Sequence, residues 1–338
     1  MTRVTFTLGG ILSARSVMGD TIVELAQKYK NVWAITADTG SSIKQYKKEF
    51  PERYIDVGVA EQNVAGIAAG LALEGNIPFI FGMIPFMVMR ACEQNRTAIC
   101  YQDLPVRFIG TGGGLTSGAG STHNAMEDIG IMKSLVNMTV LSIGDPNMVR
   151  DIMLLSMDYP HPVYLRLAEG KKDHMLYEPG KYAYKIGMGL TARDGKDATI
   201  LAHGEMVFEA LEAANLLAGE GIDTRVVDMY SIKPLDKELL FKAVTETENL
   251  LVLEDHLMDC GLASSISDAF ADEGIYPKKF KRLGIPQVYA GFGSGEALRK
   301  KYGYDKTAAA AAVKRMLTSE LSQQPQPSAQ ETRQYQNV

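Results

Sequence analysis

The sequence predicts an α/β protein made of two consecutive parallel-sheet α/β domains, each sheet flanked by helices. Three observations predict it. Short β-rich runs alternate with longer amphipathic ones along residues 17–167, which is the pattern of strands joined by crossover helices. The alternation stops over residues 168–196, which are mixed and rich in Lys, Gly and Asp, and a second series then begins. The 338 residues, of which 46% are hydrophobic and 22% charged, suffice for two cores of ordinary size. The expected division is a first domain over 1–182, a second over 183–318, and a tail over 319–338.

Each element follows from its local pattern. Residues 17–29 place Val17, Ile22, Leu25 and Ala26 at helical spacing, and VWAITA at 32–37 reads as a buried strand. The Ala-rich stretch Glu61 to Leu73 is helical, and Ile77 to Phe81 is a second strand. A helix is expected from Pro85 to Cys100, with proline at its first position. Strands at 106–110 and 162–167 flank a helix at 147–158. The stretch 168–196 reads as a linker and entry hairpin. The second series has strands at 198–202, 224–229 and 250–255 and helices near 205–219, 236–246, 261–274 and 305–318. Residues 319–338 are polar and Gln/Pro-rich, with too few large aliphatics to offset the cost of ordering, so a disordered tail is expected.

Composition excludes several function classes. A net charge of −5 carries no nucleic-acid footprint. No apolar run is long enough for a membrane span, and MTRVTFTLGG lacks the form of a secretory signal. Cys92, Cys100 and Cys260 are odd in number and form no CxxC pair, which suits a reducing cytoplasm and leaves no metal-ligand spacing.

Three stretches could carry chemistry. In DVGVAEQNVAGIAAGLALEG, residues 56–75, a strand end runs through Gly58 into a helix opened by Glu61. A first-turn glutamate is also what the helix dipole alone favours, but the many small residues keep this helix slim enough for close approach by another backbone. Residues 79–100 hold Phe79, Phe81 and Phe86, which are either core aromatics or, where one faces a cleft, a stacking plane for a flat heterocycle. Residues 108–128 hold six glycines between Gly110 and Gly120, then His123. The spacing is neither GxGxxG nor a Walker loop. Asn124 as N-cap with Glu127 three residues on reads as a capping box that presents His123 just before a helix.

Taken in order, GVAEQN (58–63), RACEQNR (90–96), the loop ending in STH (121–123), MYSIKPLD (229–236) and GIPQVYAGFGSGEALRKKYG (284–303) resemble the pyrimidine-binding and C-terminal domains of the transketolase family. The resemblance spans about residues 5 to 318. It implies thiamine diphosphate as cofactor. Glu61 matches the glutamate that bonds the pyrimidine N1′, favouring the tautomer whose 4′ nitrogen deprotonates the thiazolium. Phe86, with Phe81 as runner-up, matches the ring stacked on the pyrimidine. His123 matches a histidine that contacts the reacting oxygens of the sugar. Arg15, Arg166 and Ser42 fall where the family holds a terminal phosphate, a plausible clamp for an anion.

Two departures bear on substrate. The acidic residue expected four positions before the loop histidine is here Ala119, and Gly110-Thr111-Gly112-Gly113 lacks the histidine the family has at the start of this loop. No GDG motif of the diphosphate domain is found, since Gly19-Asp20 is followed by Thr21 and Gly144-Asp145 by Pro146. The resemblance therefore implies an N-terminal partner subunit that holds the diphosphate and Mg²⁺ or Ca²⁺, in an α₂β₂ assembly with sites at the interface, acting on sugars or sugar phosphates. The alternatives are another enzyme half on the same cofactor, of 2-oxo acid dehydrogenase beta or 1-deoxyxylulose-phosphate synthase type, and a non-catalytic partner subunit.

Overall fold

A computed structural model describes residues 6–116, 120–168 and 171–318. The expected strands fall into two sheets. The first has seven strands, in the order Ser231–Lys233, Thr139–Ser142, Val163–Arg166, Arg107–Thr111, Ile77–Met83, Val32–Thr36 and Tyr54–Asp56. All of its pairings are parallel except the one that adds Ser231–Lys233 at the edge. Its centre is a row of apolar partners, with Ile35 beside Ile80, Ile80 beside Phe108, and Phe108 beside Tyr164. Such continuous apolar runs, rather than alternation, are what a sheet covered on both faces requires.

The second sheet has five strands, in the order Lys279–Ile285, Asn249–Leu257, Ala198–Ala202, Thr224–Asp228 and Leu190–Arg193, the last of them antiparallel. The two halves interlock. Ser231–Lys233 lies in the second half of the chain yet pairs with Thr139–Ser142 of the first sheet. Among the described residues no helix is long and apolar enough to cross a membrane.

The helix Glu61–Leu73 forms at the expected residues. The first helix starts earlier than its apolar periodicity, at Ala14, because the Ser13 hydroxyl accepts a hydrogen bond from the Ser16 amide at 3.2 Å. That helix packs on Pro146–Leu155, and Arg150 on the latter bonds Glu24 at 2.6 Å.

Three expectations are corrected. The expected helix over 85–100 is not a continuous α-helix: two π-helical turns, Pro85–Arg90 and Asn95–Cys100, enclose a short α turn at Cys92–Gln94. The entry hairpin does not form, because Asp173–His174 pairs with Ile11–Leu12 and Leu190–Arg193 pairs with Thr224–Asp228. The capping box does not form either. Ala125 exchanges backbone hydrogen bonds with Gly114, at 2.7 and 3.2 Å, which holds Asn124 extended and delays the helix to Asp128–Ser134. Several short strands and helices, among them Tyr54–Asp56, Thr139–Ser142, Lys279–Ile285 and Gly295–Tyr302, carry no expectation from the sequence. The tail at 319–338 lies outside the described residues.

Candidate active site

The site lies past the carboxyl ends of the first sheet's strands, the usual place for a ligand in an open parallel sheet. The strand Tyr54–Asp56 ends on a carboxylate that accepts hydrogen bonds from the amides of Asp38 and Gly58, both at 3.1 Å. Burial alone would raise the Asp56 pKa, but those amide donors hold it below the ordinary value. The turn they build needs Gly58, whose φ of +66° is a left-handed conformation. The chain then enters the helix at Glu61, whose carboxylate sits at the positive end of the helix and is only 6% exposed.

Three residues expected from the sequence come together with one that had no role assigned, Arg90. The Arg90 guanidinium donates to Glu61 Oε2 at 2.6 Å. Its central carbon lies 4.7 Å from the centroid of the Phe86 ring. The His123 ring meets the same Phe86 edge-on, 5.2 Å between centroids at 83°. The His123 Nδ1 in turn lies 2.9 Å from the Thr122 hydroxyl. Arg90 thus bridges Glu61 and Phe86, and His123 joins the cluster through Phe86. The signal for Arg90 was present: it stands four residues after Phe86 within the helical stretch.

Phe81 is a correction. Its ring is 1% exposed and lies beside Phe79, centroids 6.4 Å apart, in the core beneath the site. It lines a small, largely apolar cavity behind Glu61, below the half-buried ring of Phe86. Arg166 is a second correction. It is 3% exposed, and its Nε donates to Asp128 at 2.8 Å and its Nη2 to the Asp255 carbonyl at 2.9 Å. Burial would lower its pKa, but Asp128 more than offsets this and keeps it charged. A guanidinium so engaged is spent largely on the core. Arg15 and Ser42 stay near the surface. Arg15 donates to the Thr111 hydroxyl at 3.2 Å, at the end of its strand, and the Ser42 hydroxyl donates to the Thr39 carbonyl at 3.1 Å.

The glycine loop has a structural reason. A Cβ at Gly113 would stand 2.7 Å from the Arg166 guanidinium carbon, and one at Gly114 would collide with the Asp255 carboxylate. That carboxylate accepts from the Leu115 amide at 3.1 Å and from the Tyr304 hydroxyl at 2.9 Å. Farther along, the Ser121 hydroxyl donates to the Ala290 carbonyl. The second half of the chain thus holds both ends of the loop that carries His123. Asp128 and Asp255 were missed by sequence reasoning because their partners lie far away along the chain. Ala119 lies outside the described residues.

The arrangement fits one end of a flat, aminated heterocycle: a shielded carboxylate to share a proton, a half-buried aromatic face beside it and an apolar wall behind. Among the described residues no group of three or more His, Cys, Asp or Glu side chains could hold a metal ion.

Comparisons with known proteins agree on the family of these folds. The family model described as transketolase, pyrimidine binding domain, matches residues 12–172, and that described as transketolase, C-terminal domain, matches 187–308. The chain is similar to a transketolase C-terminal section of Methanocaldococcus jannaschii, 37% identical over 295 residues, covering 86% of this chain and 92% of that protein. It is similar to an apulose-4-phosphate transketolase subunit of Phocaeicola vulgatus, 33% identical, covering 88% of this chain and 95% of that one. It is also 33% identical to 1-deoxy-D-xylulose-5-phosphate synthase 1 of Geobacter sulfurreducens, covering 96% of this chain but 51% of that enzyme. Among solved structures it is similar to a split gene transketolase described as an inactive β4 tetramer, with 36% identity and a TM-score of 0.83, covering 91% of this chain and 99% of that one.

Proposed function

The chain belongs to the transketolase family, and from that premise we propose that it is the C-terminal subunit of a two-chain transketolase. In this reading it moves a two-carbon ketol unit from a ketose or ketose phosphate to an aldose, with thiamine diphosphate as cofactor and an N-terminal subunit as partner. The cluster of Glu61, Phe86 and His123 at the start of a slim helix carries the proposal. The two-chain reading is supported by relatives named as a section and as a subunit, which are matched over 92% and 95% of their own lengths.

Each residue has a task. Glu61 holds a proton at the pyrimidine N1′, which its shielded place at a helix start suits. Phe86 lies under the ring. His123, on a loop tied to the second half of the chain, faces the substrate oxygens. Arg15 and Ser42 hold the far, phosphorylated or hydroxylated end of the sugar. When bound, thiamine diphosphate supplies a nucleophilic carbon and a cationic ring that takes up the electron pair left by C–C cleavage. The partner subunit holds the diphosphate and Mg²⁺ or Ca²⁺, in an α₂β₂ assembly. The proposed domains are 1–182 and 183–318. Three free cysteines suit a cytoplasmic location.

A second reading is favoured by one observation, the 33% identity to a 1-deoxy-D-xylulose-5-phosphate synthase across nearly all of this chain. The two separate on carbon dioxide. This chain mixed with its partner subunit, thiamine diphosphate, Mg²⁺ and a ketose phosphate should transfer the ketol unit without decarboxylation. Glu61→Gln should lower turnover by roughly 100-fold or more. Turnover that needs pyruvate and releases carbon dioxide would favour the second reading, and full turnover by Glu61→Gln would refute the role given to Glu61.

A further inference from the structure

The Arg90 side chain makes two contacts at once. It bonds the Glu61 carboxylate at 2.6 Å and lies over the Phe86 ring at 4.7 Å. A guanidinium is planar, cationic and a donor, and it stacks on aromatic faces. A protonated aminopyrimidine is also planar, cationic and a donor. Resting on the proposed reading of Glu61 and Phe86, we infer that Arg90 is a further residue of the cofactor site: it occupies the place of the pyrimidine ring while the cofactor is absent and leaves when the ring binds.

The reason is volume and valence together. Two flat groups cannot lie on the same face of Phe86 while both approach the same shielded carboxylate. Of the two partners in the ion pair, Glu61 is the fixed one, with its side chain 7% exposed, while that of Arg90 is 43% exposed. Arg90 can therefore swing into water at little cost, and Glu61 cannot. The backbone is built for this position. Arg90 is the last residue of the π-helical turn Pro85–Arg90, and such wide turns are often found at functional sites. The plug also keeps a buried carboxylate from standing unpaired while the cofactor is absent, which would be costly. A partly exposed ion pair with a stacking contact is a modest competitor, so its removal should tighten cofactor binding by about tenfold.

The test is the dissociation constant of thiamine diphosphate, with Mg²⁺, for the complex of this chain and its N-terminal partner, measured by calorimetry. Arg90→Met should bind about tenfold tighter than wild type, and Arg90→Gln should shift the same way. In a Glu61→Gln background, Arg90→Met should change the constant by less than about twofold, because the plug has lost its anchor. Binding that is unchanged or weaker in Arg90→Met and Arg90→Gln would overturn the inference and make Arg90 a cofactor-holding or merely structural residue. A tenfold gain that persists without the Glu61 carboxylate would also overturn it. Failure of the underlying reading is seen separately, as Glu61→Gln alone binding and turning over like wild type.

Discussion

Arg166 and Arg15 differ in what surrounds their charge, so they should fail in different ways. Arg166 is buried against Asp128, which also accepts from the Tyr164 hydroxyl at 2.7 Å. Replacing it with Met leaves the Asp128 carboxylate buried without its cation, which costs about 3–5 kcal/mol. Arg15 is half-buried at the rim, and Arg15→Met should change stability by less than about 1 kcal/mol. Urea denaturation should therefore show a large loss for Arg166→Met and little for Arg15→Met, while the KM for a phosphorylated sugar should rise in Arg15→Met. A stable Arg166→Met chain with a raised KM would return Arg166 to the phosphate site. At this scale the motifs singled out residues that the fold brings together: Glu61, Phe86 and His123 lie in one cluster. The sequence misled for Phe81 and Arg166, since burial is decided by neighbours contributed from elsewhere in the chain. Nothing local to YLRL announces that Asp128 and the Asp255 carbonyl will surround the arginine.

The helix Glu61–Leu73 shows the same division for an element. Its ends follow from its residues, but its outer face is bare. Gly66 and Gly70 are exposed, and a Cβ on either would meet nothing within 4 Å. In a helix interior glycine costs about 0.5–1 kcal/mol relative to alanine. Gly66→Ala and Gly70→Ala should each stabilise the isolated chain by about that amount in thermal unfolding. If the slim face meets the partner subunit, the same changes should weaken assembly in sedimentation experiments; stabilisation with unimpaired assembly would remove that face from the interface. Long periodic elements such as this one were legible. The π-helical turns were not, because the residues of Pro85–Arg90 and Asn95–Cys100 are compatible with an ordinary α-helix, and the wide turns are seen only in the folded chain.

For the whole molecule, two α/β domains could be read from the alternation of elements, while their seam could not. The strand Ser231–Lys233 crosses into the first sheet, and Asp255 and Tyr304 of the second half anchor the loop that precedes His123. Long-range pairings of this kind leave no periodic trace. They do tie the geometry of the candidate site to both domains; in the proposed function this chain carries the pyrimidine-facing half of the cofactor site and another chain the diphosphate half. The most direct measurement of that division is calorimetric titration of thiamine diphosphate with Mg²⁺ into this chain alone, the N-terminal subunit alone and an equimolar mixture. The expected result is tight binding and ketol transfer only in the mixture, with transfer lost on Glu61→Gln. Tight binding with ketol transfer by this chain alone, or equal binding by the N-terminal subunit with and without this chain, would contradict the division of the site between two chains.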